Sequence, residues 1–175
     1  ATGEVSINYD DTEAVATVTL TGTGFVRPAG STCDNPYPTT LPLVDFSGNT
    51  STMGDDYSST WITPSSLYLN GDDMVFEFTL TEAGYLGGSM TTTDSYLGLF
   101  ILEDCPDPVS PAAVLRSATS SGTSVTLTEI LLQPGTYFAI VSSWPSPQSI
   151  EFILNLSFEP LPDCPTPTAL TATPA

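Results

Sequence analysis

The sequence predicts an all-β protein, an antiparallel β-sandwich of jelly-roll or immunoglobulin-like type with an N-terminal β-hairpin and a C-terminal linker. Short segments of alternating apolar and polar residues recur at intervals of about ten residues. Turns rich in Gly and Pro separate these segments, and none of them shows the periodicity of an amphipathic helix. Hydrophobic residues make up 40% of the 175 residues, which is enough to build a core.

The chain opens with a predicted hairpin, residues 1–26. Residues 4–9 and 14–20 alternate with period two, and Asp10 and Asp11 supply the turn between them. A two-stranded hairpin is marginally stable alone in water, so we expect it to be supported by other structure. It either ends an upstream domain or joins the main sandwich.

The main sandwich is predicted from residue 33 to residue 160, and its best strand covers residues 73–80. There Met74, Phe76 and Phe78 share one face, while Val75 and Glu77 share the other, as expected of a half-buried strand. The other predicted strands cover residues 40–46, 85–90, 96–102, 112–118, 124–131, 136–142 and 151–159. Residues 112–115 could instead form one helical turn. Residues 161–175 are rich in Pro and Thr and are predicted to be a linker.

Charge limits the partners and the chemistry. Lys and Arg total 2, Asp and Glu total 20, His is absent, and the formal net charge is −18. Such a chain repels nucleic acid and anionic membranes, and it has no apolar segment long enough for membrane insertion. Without His or Lys it lacks the usual general bases, so we expect no enzyme activity. A pair of carboxylates is the remaining catalytic option, and no pair lies in a recognisable cleft context.

Three cysteines in a chain of this kind predict one disulfide, one leftover thiol and an extracellular or cell-surface location. Cys33 and Cys105 lie beside turns that flank the same sandwich, which favours their pairing. Cys105 with Cys164 is the competing pair. Cys164 in the linker could also pair with a downstream domain.

Two further groups of residues are candidate binding sites. Loop carboxylates could supply oxygen ligands to Ca²⁺, although Asp72 and Asp94 could instead shape turns; the carboxylates are Asp55, Asp56, Asp72, Asp73, Asp94, Glu103 and Asp104. Trp144 and Trp61 lie among turn residues, where an aromatic side chain either binds a glycan or protein ligand or folds back over the core.

Three segments, in this order, resemble one family: residues 70–80 (NGDDMVFEFTL), 93–100 (TDSYLGLF) and 132–141 (LQPGTYFAIV). They are similar to the strand with Gly-Asp-Asp, the Asp-containing central strand and the late Pro-Gly-Thr-Tyr strand of the bacterial pre-peptidase C-terminal (PPC) domain. The resemblance covers about residues 33–160. It implies a β-sandwich appended to secreted peptidases and surface proteins, with no catalytic residue of its own. Related collagen-binding domains hold Ca²⁺ near the equivalent Asp strand, but residues 26–33 lack the acidic linker of those domains.

The flanks resemble other modules. Residues 19–25 look like the last strand of immunoglobulin-like repeats in bacterial surface proteins, and residues 163–172 look like the start of a fibronectin type III domain, as in Bacteroidetes-type secreted proteins. Residues 1–26 and 161–175 would then belong to neighbouring modules in an array.

These observations favour a non-catalytic structural or adhesive module whose partners are the neighbouring domains of the same polypeptide. One alternative is an accessory domain that binds a glycan or protein polymer, with or without Ca²⁺, for a secreted hydrolase. The other is a filament subunit that self-associates by strand addition through its hairpin.

Overall fold

The structure, a computed structural model, describes residues 2–7, 16–21 and 26–162 of the chain. Within these residues it contains twelve β-strands, two short 3₁₀ helices and no α-helix, so the predicted all-β class is confirmed. None of the helices described is long and apolar enough to cross a membrane.

The strands are numbered in chain order. They are β1 (Thr2–Ile7), β2 (Ala16–Thr21), β3 (Tyr37–Pro38), β4 (Leu43–Asn49), β5 (Ile62–Thr63), β6 (Met74–Leu80), β7 (Gly84–Thr92), β8 (Leu97–Leu102), β9 (Ala112–Ser120), β10 (Ser124–Leu132), β11 (Gly135–Ser143) and β12 (Glu151–Pro160). The 3₁₀ helices are Ser59–Trp61 and Leu67–Leu69.

Two sheets form the sandwich. One has four strands in the order β10-β7-β12-β4, and the other has six in the order β3-β6-β11-β8-β9-β5. Their main pairings are antiparallel, while the two-residue strands β3 and β5 pair in parallel at the edges of the six-stranded sheet. Edge strands this short leave little free backbone for unwanted pairing.

The main core lies between the two sheets. Alternate residues of the strands point into it, as period two requires. On β12 these are Phe152, Leu154 and Leu156, all at most 3% exposed, as the sequence predicted. Phe76 of β6 packs edge-on against Phe152 across the sheets, with ring centroids 6.3 Å apart. The face of β6 that enters this core therefore carries Met74, Phe76 and Phe78, as predicted.

A second core covers the opposite face of the six-stranded sheet, which the sequence did not predict. Val75 was expected on an outer face, but it is fully buried there with Phe100 and Ile140. The long segment between β4 and β6 lies over this face and contributes Ile62 and Leu69. The central strands are therefore buried on both sides, which explains the unbroken apolar run of β8.

Other differences from the prediction are local. Residues 112–115 belong to β9 and are not helical, because Ala112 and Ala113 pair with β5 and the strand pairs with β8 from Val114 onward. The strand predicted at 40–46 begins at Leu43, after Pro42. Strands β3 and β5 are too short to leave an alternating pattern.

At the N-terminus, β1 and β2 pair antiparallel, with Val5 opposite Val18, and form a separate two-stranded sheet. The predicted turn at Asp10 and Asp11 lies outside the described residues, as does the linker beyond residue 162. Segment 28–32 packs on the sandwich: Ser31 is 1% exposed, and the Val75 N–H donates to the Gly30 carbonyl at 2.7 Å.

The register of β12 predicts opposite effects at two adjacent residues. Leu154→Ala should lower the free energy of unfolding by about 3 kcal/mol, because it leaves a cavity between the sheets. Ile153 is 45% exposed on the outer face, so Ile153→Ala should cost less than about 1 kcal/mol. Urea unfolding followed by circular dichroism measures both values. Equal losses for the two variants would show that the register is wrong.

Candidate functional site

The turn at residues 70–73 lies at one end of the sandwich and holds two other segments. Gly71 packs so closely on the end of β11 and the loop after it that a Cβ there would lie 2.0 Å from Ser143 Oγ and 2.6 Å from the Gln148 carbonyl oxygen. The Asp72 N–H donates to the same Gln148 carbonyl at 2.7 Å. On the other side, Asn70 Oδ1 accepts the Ser59 N–H at 2.8 Å. The turn therefore connects residues 143–148 with the segment that covers the second core.

Asp73 is the buried carboxyl of this turn and is 0% exposed. Its Oδ2 accepts the backbone N–H groups of Asp56 and Tyr57 at 3.1 and 3.0 Å. Burial raises the pKa of Asp73 well above its ordinary value, although the Ser142 hydroxyl and these N–H groups act in the opposite direction. Oδ1 has no hydrogen-bond partner of acceptable geometry within the described residues. Asp73 thus fixes a loop and has no free access to a substrate.

The other acidic residues singled out in the sequence are distributed among separate partners. The Gln148 side-chain amide donates to Asp55 Oδ2 at 3.3 Å and to Asp72 Oδ1 at 3.2 Å. Burial is the main cause that raises the pKa of Asp55. Asp56 forms an ion pair with Arg27. Asp55 and Asp72 thus share the Gln148 amide and Asp56 is paired with Arg27, whereas Asp73 accepts backbone N–H groups.

Asp94 does not join that group. Its backbone N–H donates to Thr92 Oγ1 at 3.0 Å, and its Oδ2 accepts the Glu151 N–H at 3.4 Å. Asp94 therefore shapes the turn after β7 and contacts the start of β12.

The arrangement does not fit a Ca²⁺ site. Ca²⁺ requires six to eight oxygen ligands. In the part of the chain that the structure describes, no three His, Cys, Asp or Glu side chains come together in a group that could hold a metal ion. Arg27 and Gln148 already supply the positive and hydrogen-bond-donating groups that the carboxylates need. Binding of Ca²⁺ stays a prediction from the sequence, which the melting temperature with and without the cation tests.

Cys33 and Cys105 form a disulfide with a Cα–Cα distance of 6.0 Å, the pairing that the sequence favoured. It lies at the second core, where the Tyr57 hydroxyl is 3.2 and 3.3 Å from the two sulfur atoms. Burial is the main cause that raises the pKa of Tyr57 to about 12. Trp61 packs edge-on against Tyr57, with centroids 6.3 Å apart. Trp61 therefore covers the second core. The third cysteine, Cys164, lies outside the described residues.

Trp144 differs from Trp61 because it is 38% exposed. It lies between two tyrosines, and its ring centroid is 5.6 Å from that of Tyr68 and 5.6 Å from that of Tyr96. We call Tyr68, Tyr96 and Trp144 the aromatic platform. A shallow cleft of about 210 Å³ adjoins it, lined by Tyr96, Trp144, Pro145 and Ser146.

A larger open groove of about 680 Å³ crosses the outer face of the four-stranded sheet. Gly87 forms part of its floor, and Ser89, Thr126, Asn155 and Ser157 line it with small polar side chains. The lining contains no aromatic residue, so the groove offers little area for stacking.

Sequence reasoning identified Trp144 but missed Tyr68, Tyr96, Arg27 and Gln148. Gln148 and Asp55 are 93 residues apart, and no local pattern connects them. One signal for Tyr68 was present in Gly98: a Cβ there would lie 2.8 Å from the Tyr68 carbonyl oxygen, so the strand approaches Tyr68 closely.

Comparison with known proteins identifies no family: no protein-family model and no curated protein sequence matches the chain. Among solved structures, the chain is similar to the pre-peptidase C-terminal domain of a collagenase from Bacillus anthracis, at 12% identity and a TM-score of 0.48 over 70% of this chain and 94% of that one. CBM35 from Cellvibrio japonicus Abf62 is similar at 14% identity and a TM-score of 0.35, over 67% and 88%. A cycloisomaltooligosaccharide glucanotransferase from Paenibacillus sp., complexed with cycloisomaltoheptaose, is similar at 13% identity and 0.30, over 66% and 17%. Likenesses this distant establish no function for this chain.

The Cys33–Cys105 disulfide predicts a large loss of stability on removal. The pair closes a loop of 72 residues, so Cys33→Ser with Cys105→Ser should lower the free energy of unfolding by about 4 kcal/mol. Cys164→Ser is the control and should leave it unchanged. Peptide mapping of the unreduced protein by mass spectrometry tests the pairing directly, and a Cys105–Cys164 peptide would contradict it.

Burial of Asp73 predicts a pH dependence of stability. Its folded pKa lies above the value of 3.8 expected for an exposed carboxyl, so the folded chain holds this proton more tightly than the unfolded chain. The stabilisation is complete below about pH 3.8 and is lost as the pH rises through the folded pKa. Asp73→Asn keeps an oxygen for the two N–H groups and has no proton to lose. Its stability relative to wild type should therefore increase as the pH rises from about 3.8 through the folded pKa of Asp73.

Asp104→Asn is the matched control for Asp73→Asn, since Asp104 is exposed and the substitution makes the same exchange of a carboxyl group for an amide. Urea unfolding at each pH gives the slopes. A wild-type slope equal to that of Asp73→Asn would show that Asp73 does not titrate as described.

The poor fit to Ca²⁺ predicts that the cation does not stabilise the fold. The melting temperature in 5 mM CaCl₂ should agree within about 1 °C with that in EDTA, with MgCl₂ as the control for screening of the negative charge. A rise of several degrees with Ca²⁺ but not Mg²⁺ would establish the calcium site after all.

Proposed function

We propose that the chain is a non-catalytic structural or adhesive module of a large secreted or cell-surface protein. The observation that carries this proposal is that its buried polar side chains form hydrogen bonds with the backbone of neighbouring segments. Asp73 and Ser143 bind backbone groups of neighbouring loops, and Thr50 Oγ1 accepts the Ile150 N–H at 3.0 Å. These side chains hold the fold together and are not directed at a reacting group.

The residue chemistry supports the same proposal. The chain contains no His and no Lys, so a nucleophile would have no ordinary base to activate it. Asp55 and Asp72 are bridged by the Gln148 amide instead of facing a substrate cleft. A glycosidase requires such a pair on either side of an open site.

The sequence motifs and the disulfide support a place outside the cell. The ordered segments 70–80, 93–100 and 132–141 resemble the PPC domain, which is an accessory to catalysis. Disulfides persist in oxidising compartments, so the Cys33–Cys105 bond favours an extracellular or cell-surface location. On this proposal, residues 1–26 and 161–175 join the module to neighbouring domains of the same polypeptide.

A second candidate function is an accessory domain that presents a secreted hydrolase to a polymer. The aromatic platform favours it, because exposed aromatic clusters are typical contact sites for ligands. Both candidates are non-catalytic, and they differ in whether this module itself binds the polymer.

The proposal predicts a stable, inert monomer. Purified full-length chain should give no turnover above buffer with fluorogenic ester, glycoside, peptide and phosphoester substrates. Limited proteolysis should leave a core that contains the predicted sandwich, residues 33–160. Turnover that co-purifies with the chain and changes with an Asp substitution would overturn the proposal.

Sedimentation of the same sample tests the filament alternative. Strands β1 and β2 are hydrogen-bonded to each other in a sheet of their own, so they are the segment that strand addition would use. A monodisperse monomer across micromolar concentrations is expected. Concentration-dependent polymers that disappear on deletion of residues 1–25 would favour the filament.

A further inference from the structure

The aromatic platform contributes little to the core, which distinguishes it from the other aromatic clusters. Trp144 and Tyr96 belong to neither core cluster and are 38% and 36% exposed. Tyr68 is half-buried and packs on the second core, so it forms the base of the platform. Two large apolar rings are thus held at the surface, where folding gains little from them.

The backbone holds these rings in a fixed arrangement. Tyr96 has φ of 61°, a left-handed conformation that costs about 1 kcal/mol or more in a residue other than Gly. The Trp144 N–H donates to the Tyr96 carbonyl at 2.9 Å, which joins the two loops. Ser143 Oγ donates to the Pro147 and Gln148 carbonyls at 2.9 and 3.0 Å and fixes the loop that follows Trp144. Backbone strain of this kind clusters at functional sites.

Polar groups on the platform remain open to a ligand. The hydroxyls of Tyr57 and Tyr137 are engaged inside the protein. Within residues 26–162, no hydrogen bond engages the hydroxyls of Tyr68 and Tyr96 or the indole N–H of Trp144. The platform therefore offers apolar ring faces together with hydrogen-bonding groups at their edges.

The charge of the surroundings selects the ligand. The cleft beside the platform is lined by Tyr96, Trp144, Pro145 and Ser146, none of which carries a charge at neutral pH. The chain as a whole has a net charge of −18 and only 2 basic residues, so a polyanion would be repelled. A sugar ring has an apolar C–H face and hydroxyls around its edge, which matches both features of the platform.

We propose that the aromatic platform binds a neutral polysaccharide, with one sugar ring stacked on Trp144 and its hydroxyls bound by the neighbouring tyrosines. This inference rests on the proposed non-catalytic function and identifies the class of polymer that the module contacts. If the chain binds no polysaccharide, this inference fails and the proposed function, an inert structural module, still stands. If the chain shows enzymatic turnover, the proposed function fails and the binding site is unaffected.

Affinity electrophoresis of the full chain tests the proposal. Native gels contain hydroxyethyl cellulose, laminarin, xylan or galactomannan as neutral polymers, and polygalacturonate, chitosan or gelatin as comparisons. At least one neutral polymer should retard the wild type. Trp144→Ala and Tyr96→Ala should each weaken that binding by about tenfold or more, the loss expected for an aromatic stacking contact and its packing. Tyr85→Ala, an exposed tyrosine on the four-stranded sheet, should bind as wild type does.

Two further variants keep the test decisive. Trp61→Phe leaves Trp144 as the single tryptophan, and its fluorescence should shift when the retarding polymer is added. Ser157→Tyr blocks the groove on the four-stranded sheet and should leave binding unchanged. Circular dichroism and thermal melting establish that each variant is folded.

Several results would overturn the proposal. These are no retardation by any neutral polymer, unchanged binding by folded Trp144→Ala, or loss of binding in Ser157→Tyr alone. Retardation by chitosan or gelatin only, reduced by Trp144→Ala, would assign the platform to a cationic or protein ligand instead.

Discussion

The close approach of Gly71 to the loop after β11 is the contact on which one end of this sandwich depends. No side chain fits between this turn and Ser143 Oγ, and the turn therefore brings three segments together. Its Asn70 oxygen holds Ser59, its Asp72 N–H holds Gln148, and its Asp73 carboxyl holds residues 56 and 57. The cover of the second core and the loop that carries Trp144 share this support.

The six-stranded sheet is buried on both faces because the segment between β4 and β6, which Asn70 of this turn holds, covers its outer face. The segment between β4 and β6 has only short helical and strand elements, so its order depends on side chains that enter the second core. Ile62 and Leu69 are buried there. The Cys33–Cys105 disulfide lies in the same region, with the Tyr57 hydroxyl against its sulfur atoms. A disulfide that closes a long loop restricts the unfolded chain more than a short one would, which suits a cover of this length.

Because the chain has 2 basic residues and 20 acidic ones, most acidic side chains cannot have a cationic partner. Arg27 is one of only two cations in the sequence, and it binds Asp56. The other acidic side chains near it accept hydrogen bonds from an amide and from backbone N–H groups, and the buried Asp73 Oδ1 has no partner among the described residues. Buried polar groups require such partners, so the acidic cluster is consistent with a structural role. The two tryptophans also differ in role: Trp61 covers a core, while Trp144 is exposed to solvent.

The sequence by itself determined the fold class, the long strands and the facing of β12, because alternation along a strand is a local property that burial preserves. It also favoured the Cys33–Cys105 pair and marked Trp144. It did not determine that Val75 is buried, since the second core exists only once a distant segment covers that face. Only the tertiary structure decided which oxygens Gln148 and Arg27 occupy and that Tyr68 and Tyr96 flank Trp144. Those contacts join residues far apart in the chain, and a local pattern carries no record of which loops meet when the two sheets pack.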